Sequence, residues 1–428
     1  MQNKETCSSQ CAAKRRVLFC AKGIVVFSAS SSVKSYDGLG SPNNNFQLLR
    51  FLTALTVAAT HCLWVIHGEF PQAQWPLNVL IQISHCGICI FFGLSGYLIT
   101  ASLIERPNLL RYSVSRLVRL CPLLFLAALL TAFVLGPLIS SASFADYYGD
   151  WRLWAYVPAT TLAYPDMTLP GVFSTLPDAG EVNISIWTLR YELIAYLLMG
   201  IVAGLGLLTS RFLWVWVMLA LIGYGVVTFA SDLRNEIPFI GHGARFGFAF
   251  LIGLILFRFQ NKIPVNLLGV GLVIGLAMAT NHTPYMEPFR IIALTYSAIW
   301  FGLKPKGFIR AFNKLGDYSY GIFVFHWPIA QTILQLNPTI SYAELVYTVL
   351  PLSLGLAVIT WHGVEAPFLR SKTEIANWIK QFTLEAIHVM GTYHLLAEEE
   401  DEKRGSPPSP PPLPTQAYQR VSHHPYQR

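Results

Sequence analysis

Charge is scarce in this sequence: 12% of its 428 residues are Asp, Glu, Lys or Arg, while 53% are hydrophobic. Soluble domains carry about 25% charged residues. Most of the chain is therefore not solvated by water, and its mean hydropathy of +0.46 agrees. No stretch is both long and polar enough to form an independent soluble domain. Cysteine is sparse as well. The seven cysteines (Cys7, Cys11, Cys20, Cys62, Cys86, Cys89 and Cys121) are odd in number and irregular in spacing, which argues against a disulfide framework. His85-Cys86-Gly-Ile-Cys89 has the spacing of half a metal site, but no second pair follows and the pair lies in an apolar run. The histidines are scattered without ligand spacing, so no bound metal is expected.

Basic residues outnumber acidic ones by 30 to 23, a formal charge of +7. They sit between apolar runs instead of gathering on one face. That is the pattern of membrane orientation and not of nucleic-acid binding, so nucleic acid is not an expected partner.

A membrane-crossing helix needs about 20 mainly apolar residues at a rise of 1.5 Å each. Ten such runs are legible: 46–67, 77–104, 120–140, 185–208, 212–230, 242–257, 264–281, 286–303, 318–336 and 344–363. The expected fold is all-α, a polytopic bundle of about ten transmembrane helices in a lipid bilayer. With the N-terminus inside, Arg106, Arg111, Arg116, Arg119, Arg211, Arg258, Lys262, Lys304, Lys306, Arg310 and Lys314 fall in inner loops. The outer loops hold chiefly Arg152 and Arg234, and the long loop 141–184 carries Asp146, Asp150, Asp166, Asp178 and Glu181. Basic and acidic loops alternate as ten spans require, which places both termini in the cytoplasm of a cell with this protein in its plasma (inner) membrane. Three regions follow: an N-terminal cytoplasmic extension over 1–45, a transmembrane domain over 46–370, and a C-terminal helix with a Pro-rich tail over 371–428. The tail, acidic from Glu398 to Glu402 and Pro-rich from Pro407 to Pro414, is too short for a catalytic domain. Chemistry must lie within the membrane part.

Ionisable groups in a spanning helix are costly and usually face a cavity or a partner. His61 lies about 15 residues into the first run, roughly 22 Å from its inner end. A neutral imidazole there can take a proton from a hydroxyl, or simply hydrogen-bond to a neighbouring helix. Arg116 and Arg119, three apart, share a helical face and form a fork suited to phosphate; two interfacial charges are the plainer reading. Trp187-Thr-Leu-Arg-Tyr-Glu192 opens the fourth run, and Glu192 stands ready either to orient an imidazole or to neutralise Arg190. His326 sits seven or eight residues into the ninth run, near the membrane middle, two residues before Pro328, which frees a carbonyl and can kink the helix. Phe91-Phe-Gly-Leu-Ser95-Gly96 reads as a close helix-packing seam. Glu365-Ala-Pro367 reads as a helix end before proline. Asn183-Ile-Ser185 and Asn281-His-Thr283 would be glycosylation acceptors in a eukaryote where they clear the membrane surface.

Taken in order, these segments resemble the acyltransferase-3 family of integral-membrane acyltransferases. The resemblance is carried by Arg50 and His61, Phe91-Phe92 with Ser95-Gly96, Arg116-x-x-Arg119 with Pro122, Trp187-x-Leu189-x-x-Glu192 with Tyr196, Gly316 with Ser319-Tyr320 and His326, and Glu365-x-Pro367. It spans about residues 46–370. Cys89, Thr188 and Phe323 depart from it, standing where the family often has a polar residue, a serine and a tyrosine. The resemblance implies O-acylation, most often acetylation, of an extracytoplasmic glycan, with acyl-CoA (acetyl-CoA first) as co-substrate. It points to His61, Arg116 and Arg119, then to His326 and Glu192. On this reading His61, Glu192 and His326 are catalytic, and Arg116 and Arg119 hold the phosphates of the acyl-CoA donor. The partners are that donor, a hydroxylated acceptor and the bilayer. No nucleophilic Ser or Cys elbow is evident, so direct transfer is expected over a covalent acyl-enzyme. The alternative is a transporter or flippase with the same buried His and Glu, although the internal repeat common in such folds is not found here.

Overall fold

The computed structural model describes residues 44–72, 77–164, 168–208, 212–230 and 236–403. The extension before Asn44, Arg211, Arg234, Asp166 and the Pro-rich tail lie outside the described residues. Among the described residues every regular element is helical. "Inner" and "outer" follow the orientation derived from the loop charges.

All ten apolar runs are helical: α1 Phe46–His67, α2 Leu77–Glu105, α3 Leu109–Leu130, α5 Leu189–Gly204, α6 Leu213–Phe229, α7 Pro238–Arg258, α8 Leu267–Ala279, α9 Met286–Leu303, α10 Ser319–Leu336 and α11 Tyr342–Thr360; α4 is introduced below. Among the described residues six helices are long and apolar enough to cross a membrane by length and composition, and α6 and α8 are shorter apolar helices. A last helix, α12, covers Ala366–Lys403. The described residues up to Lys372 form one compact unit. Residues 373–428 form a second, whose described part is the remainder of α12.

Local chemistry sets the helix ends. Gly68 closes α1 in the left-handed region (φ 75°), its N–H donating to the Trp64 carbonyl. Asn108 caps α3 by accepting from the Arg111 N–H, so α3 starts eleven residues before the apolar run at 120. Arg111, Arg116 and Arg119 therefore lie on the helix, not in a loop. The apolar run marks the part that lipid can cover, whereas the cap marks where the backbone starts to coil, and long arginine stems let the two differ.

The segment 141–184 is also more ordered than a loop. Capped by Asp150, α4 (Trp151–Thr161) packs back along α3. The Trp154 ring meets Phe133 at 5.7 Å, and the Tyr147 hydroxyl donates to the Ala132 carbonyl at 2.6 Å. Ala132 lies in a π-helical turn, Thr131–Leu135, that continues α3. Such turns misalign the regular backbone ladder, and here a tyrosine takes the carbonyl.

The glycines of α2 form the expected seam, and its partner is α7. A Cβ added to Gly96 would stand 2.0 Å from the Phe250 carbonyl oxygen, and one added to Gly253 would stand 1.9 Å from that of Gly93. Backbone, not a movable side chain, occupies the space, so the helices pack at the closest distance two backbones allow. Gly253→Leu should therefore remove most folded protein, at or above the upper end of the roughly 1–3 kcal/mol typical of overpacking. A wild-type elution profile and melting temperature for the detergent-solubilised variant would refute the seam.

Central to the bundle is α10, with ten consecutive buried residues from Ser319 to Pro328. It packs on α1 and α11. Pro328 has no N–H to give the Val324 carbonyl, and the Asn183 side-chain amide donates to that carbonyl at 2.8 Å. The helix passes through the proline with its freed acceptor satisfied. The Asn183 amide, half-buried, is engaged inside the protein instead of standing clear as a glycosylation acceptor.

Candidate active site

Two histidines meet at the centre of the outer half. His61 Nδ1 lies 2.9 Å from His326 Nε2, both rings being buried. The run starts had put them at different depths. Gln47 donates to the carbonyls of Leu315 (2.8 Å) and Gly316 (2.6 Å), so the loop before α10 climbs inside the bundle and α10 begins deeper than α1.

The contacts order the protons. His326 Nδ1 is 3.0 Å from the Ile322 carbonyl, which can only accept. With both rings neutral, His326 therefore carries its proton on Nδ1 and presents a lone pair on Nε2. His61 must then donate from Nδ1, which leaves its Nε2 as the proton acceptor. Among the described residues no hydrogen-bond partner stands at that nitrogen. Ser185 Oγ, 3.3 Å away, offers His326 Nε2 a second, longer donor. Aromatic rings enclose the pair: Trp327 edge-on to His61 at 5.4 Å, with Trp64 and Phe70 both at 6.3 Å.

A narrow cavity of about 50 Å³ runs inward from this layer. It is lined by Phe323, Thr188, Glu192, Tyr320, Ser319 and Arg50 among others. The Phe323 ring is 6.1 Å from that of His326, and Ser319 bonds Asp317 of the charged cluster, so the cavity lies between the two layers. Arg50 and His61 are eleven residues apart on α1, roughly 16 Å along the axis. Two of the positions that depart from the family pattern, Thr188 and Phe323, line this channel.

Glu192 pairs neither with His61 nor with Arg190. Its carboxylate accepts a hydrogen bond from the Tyr196 hydroxyl. The Tyr196 ring in turn lies against Arg116, whose guanidinium is 5.6 Å from the rings of both Tyr196 and Tyr112. Among the described residues no carboxylate stands at Arg116, and its buried Nε has no partner.

Arg119 differs from Arg116. Its Nη2 is 2.6 Å from Asp317 Oδ2 and its Nη1 is 3.5 Å from Glu365 Oε2, with the Tyr320 and Trp361 rings on its faces. Arg50 stands 3.9 Å from the same Asp317 oxygen, and Ser319 donates to the other at 2.5 Å. Burial alone would raise the pKa of Asp317, which lies in the loop before α10, but Arg119 and then Arg50 hold it at about 2. Two arginines thus face two carboxylates. Glu365 reaches Arg119 from a π-helical turn, Trp361–Glu365, between α11 and α12. The expected helix end before Pro367 does not occur, because the wider turn absorbs what proline disrupts.

Asp317, Asn183 and Ser185 are site residues that sequence patterns do not assign. For Asp317 a signal existed: an acidic residue at the inner edge of a buried, polar-rich run, in a chain with few carboxylates. For Asn183 and Ser185 the signal is faint, since each acts through a partner about 140 residues away. No group of His, Cys, Asp and Glu able to hold a metal occurs among the described residues.

A family described as an acyltransferase domain matches residues 43–362. The chain is 26% identical over 342 residues to a protein named O-acetyl transferase from Shigella phage Sf6, covering 76% of this chain and 96% of that one. It is 24% identical over 360 residues to Nodulation protein 10 of Rhizobium leguminosarum bv. viciae, covering 78% and 95%. No solved structure matches.

Proposed function

The chain belongs to the acyltransferase-3 family, and from that premise we propose that it moves an acetyl group from cytoplasmic acetyl-CoA to a hydroxyl of an extracytoplasmic glycan. The observation that carries this reading is the ordered pair His326–His61, which leaves one nitrogen of His61 open to accept a proton. In this mechanism His61 Nε2 takes the proton of the acceptor hydroxyl as its oxygen attacks the thioester carbonyl. The carbon–sulfur bond then breaks, and the same nitrogen returns the proton to the leaving thiolate. The positive charge that develops on His61 is shared with His326 through the Nδ1–H bond, and the Ile322 carbonyl holds His326 in position. Glu192, tied to Tyr196, lines the cavity between the histidine pair and the charged cluster.

The two arginines take different parts in this proposal. Arg116, free of carboxylates among the described residues, contacts the donor's phosphates, and Arg119 braces the inner ends of α3, α10 and α12 through Asp317 and Glu365. Arg116→Ala should raise the KM for acetyl-CoA roughly 10- to 100-fold, the worth of one or two charge-assisted contacts, with a smaller change in kcat. An unchanged KM would release Arg116 from the donor site.

The decisive test uses oriented membrane vesicles with radiolabelled acetyl-CoA on the cytoplasmic side. Label should appear in glycan on the opposite side. Solute uptake with no label transferred from any acyl-CoA would favour a transporter instead.

A further inference from the structure

We propose that an anion-binding acceptor subsite built on Arg190, His242 and Trp187 lies beside the histidine pair, so that the acceptor is a sugar carrying a phosphate or a carboxylate. This rests on the acyl-transfer reading above and specifies its acceptor.

Arg190 is the first observation. Its guanidinium packs on the rings of Tyr191 and Phe239, at 5.1 and 5.2 Å. Its hydrogen bond to the Tyr191 hydroxyl is long, 3.5 Å, and its buried Nε has no partner. Among the described residues no carboxylate reaches it, although Glu192 is two residues away. A buried guanidinium N–H without an acceptor is unfavourable unless a bound group supplies one.

His242 is the second. Its Nδ1 is likewise buried and unpartnered, and its ring meets the half-buried Trp187 indole at 4.6 Å. Trp187 is two residues from Ser185, which touches His326. On the far side exposed His85 faces Phe70 at 5.3 Å, and Phe70 faces His61 at 6.3 Å. Trp187 thus shares the short helical turn Ile184–Thr188 with the serine that meets the histidine pair.

Charge points the same way. Arg245 pairs with Glu287, and Arg290 bonds the Asn281 side chain at 3.2 Å. Outer ends of spans usually avoid arginine. Aromatic surface with a few unpartnered polar groups converging on it is the make-up of a small-molecule site, and here those groups can donate to an anion.

The test is a tryptophan-fluorescence titration of the purified full-length protein with glucose, glucuronate and glucose 1-phosphate. Both anions should give saturable changes, and glucose should bind at least about tenfold more weakly. Whichever anion binds tighter identifies carboxylate or phosphate as the natural group. Arg190→Gln should weaken both anions about tenfold or more and leave acetyl-CoA binding unchanged, while Arg190→Lys should restore part of the loss. Absence of a saturable anion signal, or indifference of anion binding to Arg190→Gln, overturns the subsite while acetyl transfer to neutral sugars persists. Saturable, Arg190-dependent anion binding by an unaltered protein that transfers no label from any acyl-CoA would instead sink the acyl-transfer reading and leave the subsite standing.

Discussion

Replacing His61 by alanine is expected to lower acyl transfer about 10³-fold while the protein stays folded, a typical loss for a general base. The expectation follows from proton order more than from position. One nitrogen of His61 is committed to His326 and the other is open to accept the proton. The hole left by alanine is lined by Trp64, Phe70 and Trp327, which can close over it without stranding a charge. His326 provides a finer check. His326→Ala removes the acceptor for His61 Nδ1 and should cost about 10²-fold in kcat, with the KM for acetyl-CoA nearly unchanged. His326→Gln keeps a side-chain oxygen as acceptor and should recover part of that loss. Transfer rates in matched membranes, normalised to the amount of folded protein, decide between these outcomes. A His61→Ala protein with near wild-type turnover would remove the base from the mechanism, and equal damage from His326→Ala and His326→Gln would remove the orienting contact.

How far this could be foreseen depends on the kind of interaction. The bundle was legible because lipid imposes one rule on every span: a run of about 20 apolar residues. Where a run coincides with its helix, as in α1 and α9, the ends agree residue for residue. Where a polar turn continues the helix beneath the membrane, as at Asn108 to Arg119, composition misses it and only the cap residue betrays it. The packing seam at Gly93 and Gly96 was legible as small residues, but nothing along α2 identified α7 as the partner.

The site behaves similarly. His61, Glu192 and His326 stand out because ionisable groups are rare in spans. Their partners do not, because pairing between positions 265 residues apart is a property of the folded bundle. Glu192 seemed placed to serve an imidazole or Arg190, and it instead accepts from Tyr196, one helical turn away. The same local bond leaves Arg190 without a carboxylate among the described residues, an absence that no sequence pattern expresses.

The second large effect concerns Arg119. Arg119→Leu should cost most of the folded protein, because it strands Asp317 and Glu365, two carboxylates shielded from water, with only Arg50 near one of them at 3.9 Å. Removing one partner of a buried charge pair typically costs about 3–5 kcal/mol, much of it the penalty of the charge left behind. The triple change Arg119→Leu, Asp317→Asn and Glu365→Gln should therefore be more stable than Arg119→Leu alone, although it removes more of the native interactions. Melting temperatures of the detergent-solubilised variants make the comparison direct. If the single and triple variants melt together and both bind acetyl-CoA poorly, Arg119 is a donor contact and not a brace. If the triple variant regains stability and Arg116→Ala alone carries the rise in KM, then of two arginines three residues apart on one helix, one holds the bundle and the other holds the substrate. What separates them is whether a carboxylate lies within reach.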